Sequence, residues 1–199
     1  EVLYELQFRD TITWNALIAG YAQCGYGKEA LSCFDCMQRE GITPDAVTFV
    51  CTLKACGDLK AIDKGQEIHA RILMEGLLEK NDLVCTALID MYAKCGSFAK
   101  AQGVLEKLTC PHVSSWNALI SGFVDHGSYE EALWLSKYMQ CEGIPPDDVT
   151  FVCILKACAI SGAAHIGQEI HRQVEKGELL ERDSVICNAL LDMYIKCGL

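Results

Sequence analysis

The stretch T-I-T-W-N-A-L-I-A-G-Y-A-Q (residues 11–23) returns 102 residues later as V-S-S-W-N-A-L-I-S-G-F-V-D (residues 113–125). The likeness continues well beyond these segments, because residues 11–97 match residues 113–199 at 44 of 87 positions without a gap. A fixed period of this length indicates a tandem array of structural modules and not a single globular core. Residues that recur belong mostly to the scaffold, and residues that vary on the shared scaffold can encode specificity.

The 102-residue period divides into three modules. Residues 11–45, 46–81 and 82–112 form modules of 35, 36 and 31 residues, and the cycle restarts with residues 113–147 and 148–183. We interpret residues 184–199 as a truncated sixth module. Residues 1–10 align with 103–112, so we interpret them as the tail of a preceding module. On this interpretation the chain is an excerpt from a longer array.

Each module carries two apolar stripes at helical spacing, separated by a glycine. In the first module Trp14, Ile18 and Tyr21 mark one helical face, and Gly25 follows where a left-handed helix cap is suited. No segment of convincing length alternates with period two. We therefore predict an all-α chain with about eleven helices. Short helices are marginal alone, so the pairs must stack into an α-solenoid, which we expect to be a right-handed superhelix with one concave surface.

The last helix is the exception to this scheme. Its apolar stripe consists of Ile186, Leu190 and Met193. We expect this stripe to lack a second-helix partner, so that this end of the stack frays or pairs with another chain.

Composition narrows the possible functions. The formal net charge is −10, whereas charge-driven nucleic-acid binding usually leaves a basic face as its footprint. Contact with RNA would therefore have to depend on the bases. No apolar run approaches the ~18 residues of a membrane span, and the chain does not start with a charged-then-apolar signal segment.

The thirteen cysteines are an odd number, and eight of them form four period-related pairs at apolar positions of helical patterns. We interpret these as small buried hydrophobic residues in a reducing compartment. Cys33 and Cys36 form a C-x-x-C, but the equivalent residues of the second period are Leu135 and Tyr138. A zinc site needs two further ligands, so we predict no metal site and no cofactor.

The modules resemble the pentatricopeptide repeat family. The pattern W-N-A-L-I…G-I-x-P-D (residues 14–45 and 116–147) is similar to its 35-residue P type. The pattern V-T-F-V-C-x-L-K-A-C…G-Q-E-I-H (47–69 and 149–171) is similar to the L type. The pattern A-L-x-D-M-Y-x-K-C-G (87–96 and 189–198) is similar to the short S type. The P-L-S order is typical of one plant subclass. The tetratricopeptide repeat is the nearest rival, but its 34-residue spacing is absent.

The resemblance implies sequence-specific binding of single-stranded RNA in a chloroplast or mitochondrion, with the transit peptide outside this sequence. Such a protein acts in RNA editing or processing. Each module contacts about one base through two or three side chains, and in this family these are the fifth and the last residue. In the P modules they are Asn15 with Asp45, and Asn117 with Asp147, a combination that implies uracil first and cytosine second. Asn offers a donor and an acceptor, and both asparagines are expected to face the groove.

The remaining modules match the family pattern less well. In the L modules the fifth residues are Val50 and Val152 and the last are Asn81 and Asp183, so these modules are expected to be spacers or weak readers. The S module combines Thr86, which implies a purine, with His112, which departs from the family pattern for a last residue. Asn188 is the fifth residue of the truncated module. The second residue of each module resembles the family's apolar platforms that sandwich bases. The exception is Ser114, which should hold a base less tightly. These platforms are Ile12, Val47, Leu83, Val149 and Val185.

Several alternatives stay open. Many P-L-S proteins end in a deaminase-like domain, but the H-x-E that such a zinc enzyme needs is absent, so we predict no catalytic residue and no enzyme activity. A protein-interaction scaffold is the alternative function, and the L modules could dock an editing-factor protein. Asn15 and Asn117 could instead satisfy backbone groups near helix starts. We interpret Trp14 and Trp116 as packing residues, and His69 and His171 as structural residues.

Overall fold

The computed structural model describes residues 10–78, 81–177 and 184–199, and eleven helices and no strand lie within them. The predicted all-α class and helix number are therefore confirmed. The predicted N-terminal tail, apart from Asp10, lies outside the described residues. The helices are α1 (Thr11–Gln23), α2 (Gly27–Arg39), α3 (Ala46–Leu59), α4 (Ile62–Met74), α5 (Asp82–Lys94), α6 (Phe98–Leu105), α7 (Val113–Asp125), α8 (Tyr129–Cys141), α9 (Asp148–Ser161), α10 (Ala164–Lys176) and α11 (Ser184–Lys196).

The chain forms two compact units, Glu1–Thr109 and Cys110–Leu199. In the first unit α1, α3 and α5 pack side by side in one layer, and α2 and α4 each pack against their own first helix and the first helix of the next module. In the second unit α7, α9 and α11 form the same layer, and α8 and α10 are placed in the same way. Each unit is thus an all-α helical-repeat solenoid, as predicted.

The apolar stripes form the contacts between these helices. Trp14 and Ile18 of α1, Phe34 of α2 and Phe49 of α3 are fully or almost fully buried. Trp116 is also buried, so both tryptophans pack in the core, as predicted. Isolated helices of 13 or 14 residues would be marginal in water. The burial of these faces between neighbouring modules is therefore what stabilises them.

The helix ends follow the expected chemistry. Gly25 has a positive φ of 81° after α1 and supplies the left-handed conformation predicted for that position. The equivalent turn after α3 uses Lys60, whose φ of 55° is the single positive value at a non-glycine residue among the described residues. No helix of the described residues is long and apolar enough to cross a membrane.

The expectation for the last helix is wrong, because the apolar residues predicted to lack a partner are buried. The stripe Ile186, Leu190 and Met193 is buried, because α11 packs against both α9 and α10. Beyond the first turn of α11, the exposed apolar residues are instead Leu191 and Ile195. The equivalent residues of α5 are Ile89 and Ala93, which are buried in a helix that packs against α6. In α11 the stripe therefore packs against the preceding module, and the face with Leu191 and Ile195 stays exposed.

Glycine allows α4 to lie close to α5, and α10 to lie close to α11. A Cβ added at Gly65 would lie 2.5 Å from Met91 Sδ, and one added at Gly167 would lie 2.5 Å from Met193 Sδ. Both methionines are fully buried, so their side chains have little free space into which to move. We predict that Gly65→Ala lowers the free energy of unfolding by about 1–3 kcal/mol, the usual cost of overpacking. Urea unfolding, followed by circular dichroism, measures this change in the free energy of unfolding.

Gly103→Ala is the matched control for this prediction. Gly103 lies within α6, and a Cβ there would meet no heavy atom within 4 Å. Alanine at a free helical position stabilises a protein by roughly 0.5–1 kcal/mol relative to glycine. If Gly65→Ala also stabilised the protein, the close approach would not limit the side chain at position 65.

Candidate nucleic-acid interface

The structure brings each predicted Asn–Asp pair together. Asn15 Nδ2 donates a hydrogen bond of 2.9 Å to Asp45 Oδ1, and Asn117 Nδ2 donates one of 2.8 Å to Asp147 Oδ1. The asparagines lie on α1 and α7, and the aspartates lie directly before the next first helix of the layer. Two residues that are 30 positions apart in sequence therefore meet because neighbouring first helices pack side by side.

The start of the following helix fixes each aspartate. Asp45 is the N-cap of α3, where its Oδ1 accepts the backbone N–H of Thr48 at 2.9 Å. In return the backbone N–H of Asp45 donates to Thr48 Oγ1 at 3.0 Å, which completes a capping box. Asp147 and Thr150 form the same capping box at the start of α9. The carboxylate that contacts Asn is thus held by the backbone of the next module.

The threonine of this capping box also contacts the asparagine. Thr48 Oγ1 lies 2.5 Å from Asn15 Oδ1, and Thr150 Oγ1 lies 2.6 Å from Asn117 Oδ1. These two threonines are not among the site residues predicted from the sequence. The signal that could have found them is the spacing D-x-x-T at residues 45–48 and 147–150, which is typical of a capping box.

The aspartates remain ionised at neutral pH. Burial on its own would raise the pKa of the Asp45 carboxyl, but hydrogen bonds from the backbone N–H of Thr48 and from the Asn15 amide lower this pKa below its ordinary value. The pKa of Asp147 is lowered in the same way by Thr150 and Asn117. A charged acceptor therefore faces each amide and determines where its nitrogen points.

The two asparagines are covered more than the sequence suggests. Asn15 is 9% exposed and Asn117 is 6% exposed, because neighbouring side chains enclose the amide that was expected simply to face a groove. Their hydrogen bonds go to aspartate and threonine side chains, and not to backbone groups at the helix start. Each amide still has a second N–H and a second carbonyl lone pair, which is one donor and one acceptor for a base edge.

The L modules have no such cluster. Val50 and Val152 are half-buried on α3 and α9. Asn81 is the N-cap of α5, where its Oδ1 accepts the backbone N–H groups of Leu83 and Val84. Asp183 lies outside the described residues. Valine has no polar group for a base edge, and the role of these modules as spacers or weak readers stays a prediction.

The predicted pair of the S module spans the two units. Thr86 is half-buried on α5 of the first unit. His112 is exposed in the second unit, where it is the N-cap of α7 and its Nδ1 accepts the backbone N–H of Ser114 at 3.5 Å. Asn188 is exposed on α11. Their roles in base recognition stay predictions.

The second residues of the modules form a distinct class of exposed apolar side chains. Each one lies in the first turn of a first helix, and each is 53–76% exposed. Large apolar residues at the same exposed position in helix after helix contribute little to the core of this chain. Their role as platforms for bases stays a prediction. These residues are Ile12, Val47, Leu83, Val149 and Val185.

The first helices carry little free positive charge. Lys94 on α5 forms ion pairs with Asp58 and Asp90, at 3.0 and 2.9 Å. Lys156 on α9 pairs with Asp125, and Lys196 on α11 pairs with Asp192. A phosphate would have to compete with these carboxylates, so charge attraction to a nucleic-acid backbone is weak along this layer.

The two histidines predicted to be structural lie between α4 and α5 and between α10 and α11. His69 Nδ1 is 2.8 Å from Tyr92 Oη, and His171 Nδ1 is 2.8 Å from Tyr194 Oη. Burial lowers the pKa of His69, and Lys107 and Lys100 add to this effect. Among the described residues no group of three or more His, Cys, Asp or Glu side chains could hold a metal ion.

Comparison with known proteins gives a consistent result. The sequence profile of the PPR repeat family matches residues 9–58 and 111–160, and that of the PPR repeat matches residues 83–110. A chloroplastic pentatricopeptide repeat-containing protein of Arabidopsis thaliana is 40% identical over 190 residues, covering 96% of this chain and 30% of the relative. A mitochondrial one from the same plant is 39% identical over 217 residues, covering 99% and 24%. The chain thus spans less than a third of either relative.

Solved structures share the fold. The crystal structure of the pentatricopeptide repeat protein PPR10 in complex with an 18-nucleotide psaJ RNA element superposes with a TM-score of 0.73 at 18% identity, covering 95% of this chain and 27% of that one. The PPR domain of the protein-only RNase P 1 of Arabidopsis thaliana, in complex with tRNA, gives a TM-score of 0.66 at 15% identity, covering 94% and 98%. Both are helical-repeat proteins, and both were solved with RNA bound.

Proposed function

The chain belongs to the pentatricopeptide repeat family, and from this premise we propose that it binds single-stranded RNA in a sequence-specific way, with one module for one base. We propose further that its modules follow the P-L-S order and that the full protein is an organellar RNA editing or processing factor. The organelle is a chloroplast or a mitochondrion, in line with the names of the relatives. The unit of recognition is the helix pair, and the bases lie along the layer of first helices.

One observation carries this proposal. The same polar cluster of asparagine, aspartate and threonine occurs at the same place in two modules, 102 residues apart. A scaffold alone does not need it, because an apolar fifth residue serves in the L modules. Three residues before Asn15, the exposed apolar side chain of Ile12 offers a surface for the face of a base.

The family resemblance implies pyrimidines at the two clusters, and the hydrogen-bonding groups of the asparagines are compatible with them. Asn15 and Asn117 each have a donor and an acceptor left for a base edge, which matches uracil and, with the groups exchanged, cytosine. In the orientation that the family resemblance implies, the preferred RNA is 5′-U, any base, purine, U, any base, pyrimidine-3′. The L modules, with Val50 and Val152, are proposed to be spacers.

We predict that the 199-residue chain binds a fluorescent U-rich single strand more tightly than an A-rich strand or a duplex of the same length. The binding is expected to be weak and to depend little on salt, because few phosphates are neutralised and few counterions are released. Fluorescence anisotropy at several salt concentrations measures both properties. Equal binding to the duplex, or a steep dependence on salt without base preference, would indicate nonspecific contact. Absence of RNA binding would favour the protein-interaction scaffold.

A further inference from the structure

We propose that the third residue of the following module, Thr48 or Thr150, is a positioning residue for base recognition. Each threonine fixes the orientation of the asparagine amide of the preceding module. The recognition unit then has three members from two adjacent modules: an asparagine, the aspartate that ends its module, and this threonine. The inference rests on the proposed RNA-binding function, and it adds a residue beyond the fifth and last positions of a module.

The oxygen–oxygen distances require a proton between threonine and asparagine. Thr48 Oγ1 and Asn15 Oδ1 are 2.5 Å apart, and two oxygens at this distance would repel each other without a shared proton. The hydroxyl has one proton and already accepts the backbone N–H of Asp45. Its other possible acceptor, Asp45 Oδ1, lies farther away at 3.0 Å and already accepts two N–H groups. The proton of Thr48 therefore goes to Asn15 Oδ1.

This arrangement allows one orientation of the amide. With Nδ2 towards the carboxylate and Oδ1 towards the hydroxyl, both groups form hydrogen bonds. A half-turn of the amide would place Asn15 Oδ1 against the charged oxygen of Asp45, which repels it. The second cluster has the same arrangement, with Thr150 Oγ1 at 2.6 Å from Asn117 Oδ1. The free N–H and the free lone pair of each asparagine therefore point in fixed directions, which is what discrimination between base edges requires.

Both threonines follow a module whose fifth residue is asparagine. Asn15 and Asn117 are the fifth residues of modules that are followed by Thr48 and Thr150, and both threonines are fully buried. Val50 and Val152 are the fifth residues of modules that are followed at the same position by apolar, buried side chains, Val84 and Ile186. Ser115, which follows the module of Thr86, also carries a hydroxyl, so the pattern separates the asparagine modules from the valine modules alone.

The test compares Thr48→Val with Thr52→Val. Thr52 is fully buried one turn later on α3, where its hydroxyl donates to the backbone carbonyls of Thr48 and Phe49 and does not contact Asn15. The control therefore removes a buried hydroxyl from the same helix by the same change. The equivalent of Thr52 in the second unit is Ile154, so the scaffold accepts an apolar residue there. Thr48→Ser keeps the hydroxyl.

The readout is the base preference in competition binding with RNAs that vary at one position. We expect Thr48→Val to lower the preference for uracil at the base contacted by Asn15 roughly twofold to tenfold, the range that one net hydrogen bond supports. Thr150→Val should do the same three nucleotides away. Thr48→Ser and Thr52→Val should keep the wild-type preference. Equal preferences in Thr48→Val and wild type would overturn the proposal and leave the threonine a capping residue.

A second readout does not involve RNA. In NMR spectra, Thr48→Val should shift the side-chain amide resonances of Asn15 and leave those of Asn117 in place, and Thr150→Val should give the reverse pattern. Unshifted amides would overturn the positioning role even if RNA binds. A shifted amide in a protein without base preference would mean that the proposed function fails while the positioning role stands. If Thr48→Val does not fold, Thr48→Cys serves instead, because its thiol is a weaker donor, and a partial loss is expected.

Discussion

Replacing Asn15 and Asn117 by threonine, with Asp45 and Asp147 kept, is expected to change the preferred base at two RNA positions from uracil towards guanine. Threonine is shorter and lacks the amide that matches a pyrimidine edge, so it leaves room for a purine. Each change in base discrimination should be about 1–3 kcal/mol if it resembles a good side-chain–base pair. Because the two sites are three modules apart, the affected bases should be three nucleotides apart.

The measurement is competition binding across RNAs that vary at these two positions, and the single substitutions are the matched controls. Asn15→Thr should alter one base and Asn117→Thr the other. The hydrogen bonds to aspartate and threonine add a structural cost of about 1–3 kcal/mol in the free energy of unfolding, since one partner of each bond is lost. Unfolding of the protein would mean that the asparagines are structural. An unchanged base preference would mean that the family pattern does not operate in this array.

The fold could be predicted from the sequence because it depends on repetition. The 102-residue period, the two stripes in each module and the glycines between them are all local features, and a stack is the arrangement that buries both faces of every pair. Even a backbone conformation could be predicted in this way, because the position of Gly25 directly after a helical stripe indicated its left-handed conformation. The two Asn–Asp pairs came from the family resemblance, and their side chains meet because neighbouring first helices pack side by side.

The contacts between modules were harder to predict. Thr48 reaches Asn15 because α3 starts beside α1, and the spacing of residues along either helix alone does not reveal this. The same limit explains the error at α11, where the stripe of Ile186, Leu190 and Met193 faces the preceding module and a different face remains exposed. Periodicity shows that a face is apolar, but it does not show which neighbouring helix covers that face.

Replacing the exposed second residues by serine is expected to lower RNA affinity by roughly a hundredfold or more while the fold stays intact. Each apolar side chain would lose the burial of its surface against a base, about 0.5–1 kcal/mol for partial burial, and the five contributions act together. Serine already occupies this position at Ser114, so the scaffold accepts it. The substituted residues are Ile12, Val47, Leu83, Val149 and Val185.

The matched control replaces Leu73 and Met74 by serine. These residues are 50% and 86% exposed at the end of α4, a second helix, so the change removes exposed apolar surface away from the expected path of the RNA. Fluorescence anisotropy with U-rich RNA should show almost no loss of affinity for the control. Unfolding free energies should be close to the wild-type value for both variants, because exposed side chains contribute little to stability.

The two substitution experiments separate affinity from base choice. The serine variant should bind all single strands less tightly and keep its order of preference, because an apolar side chain packs against the face of any base. The asparagine variant should change the order of preference with a smaller effect on overall affinity. Ser114→Val supplies the opposite change, since it adds a sixth apolar platform, and it should tighten binding by a few-fold. If Ser114→Val has no effect and the control loses as much affinity as the serine variant, the exposed second residues do not contact RNA.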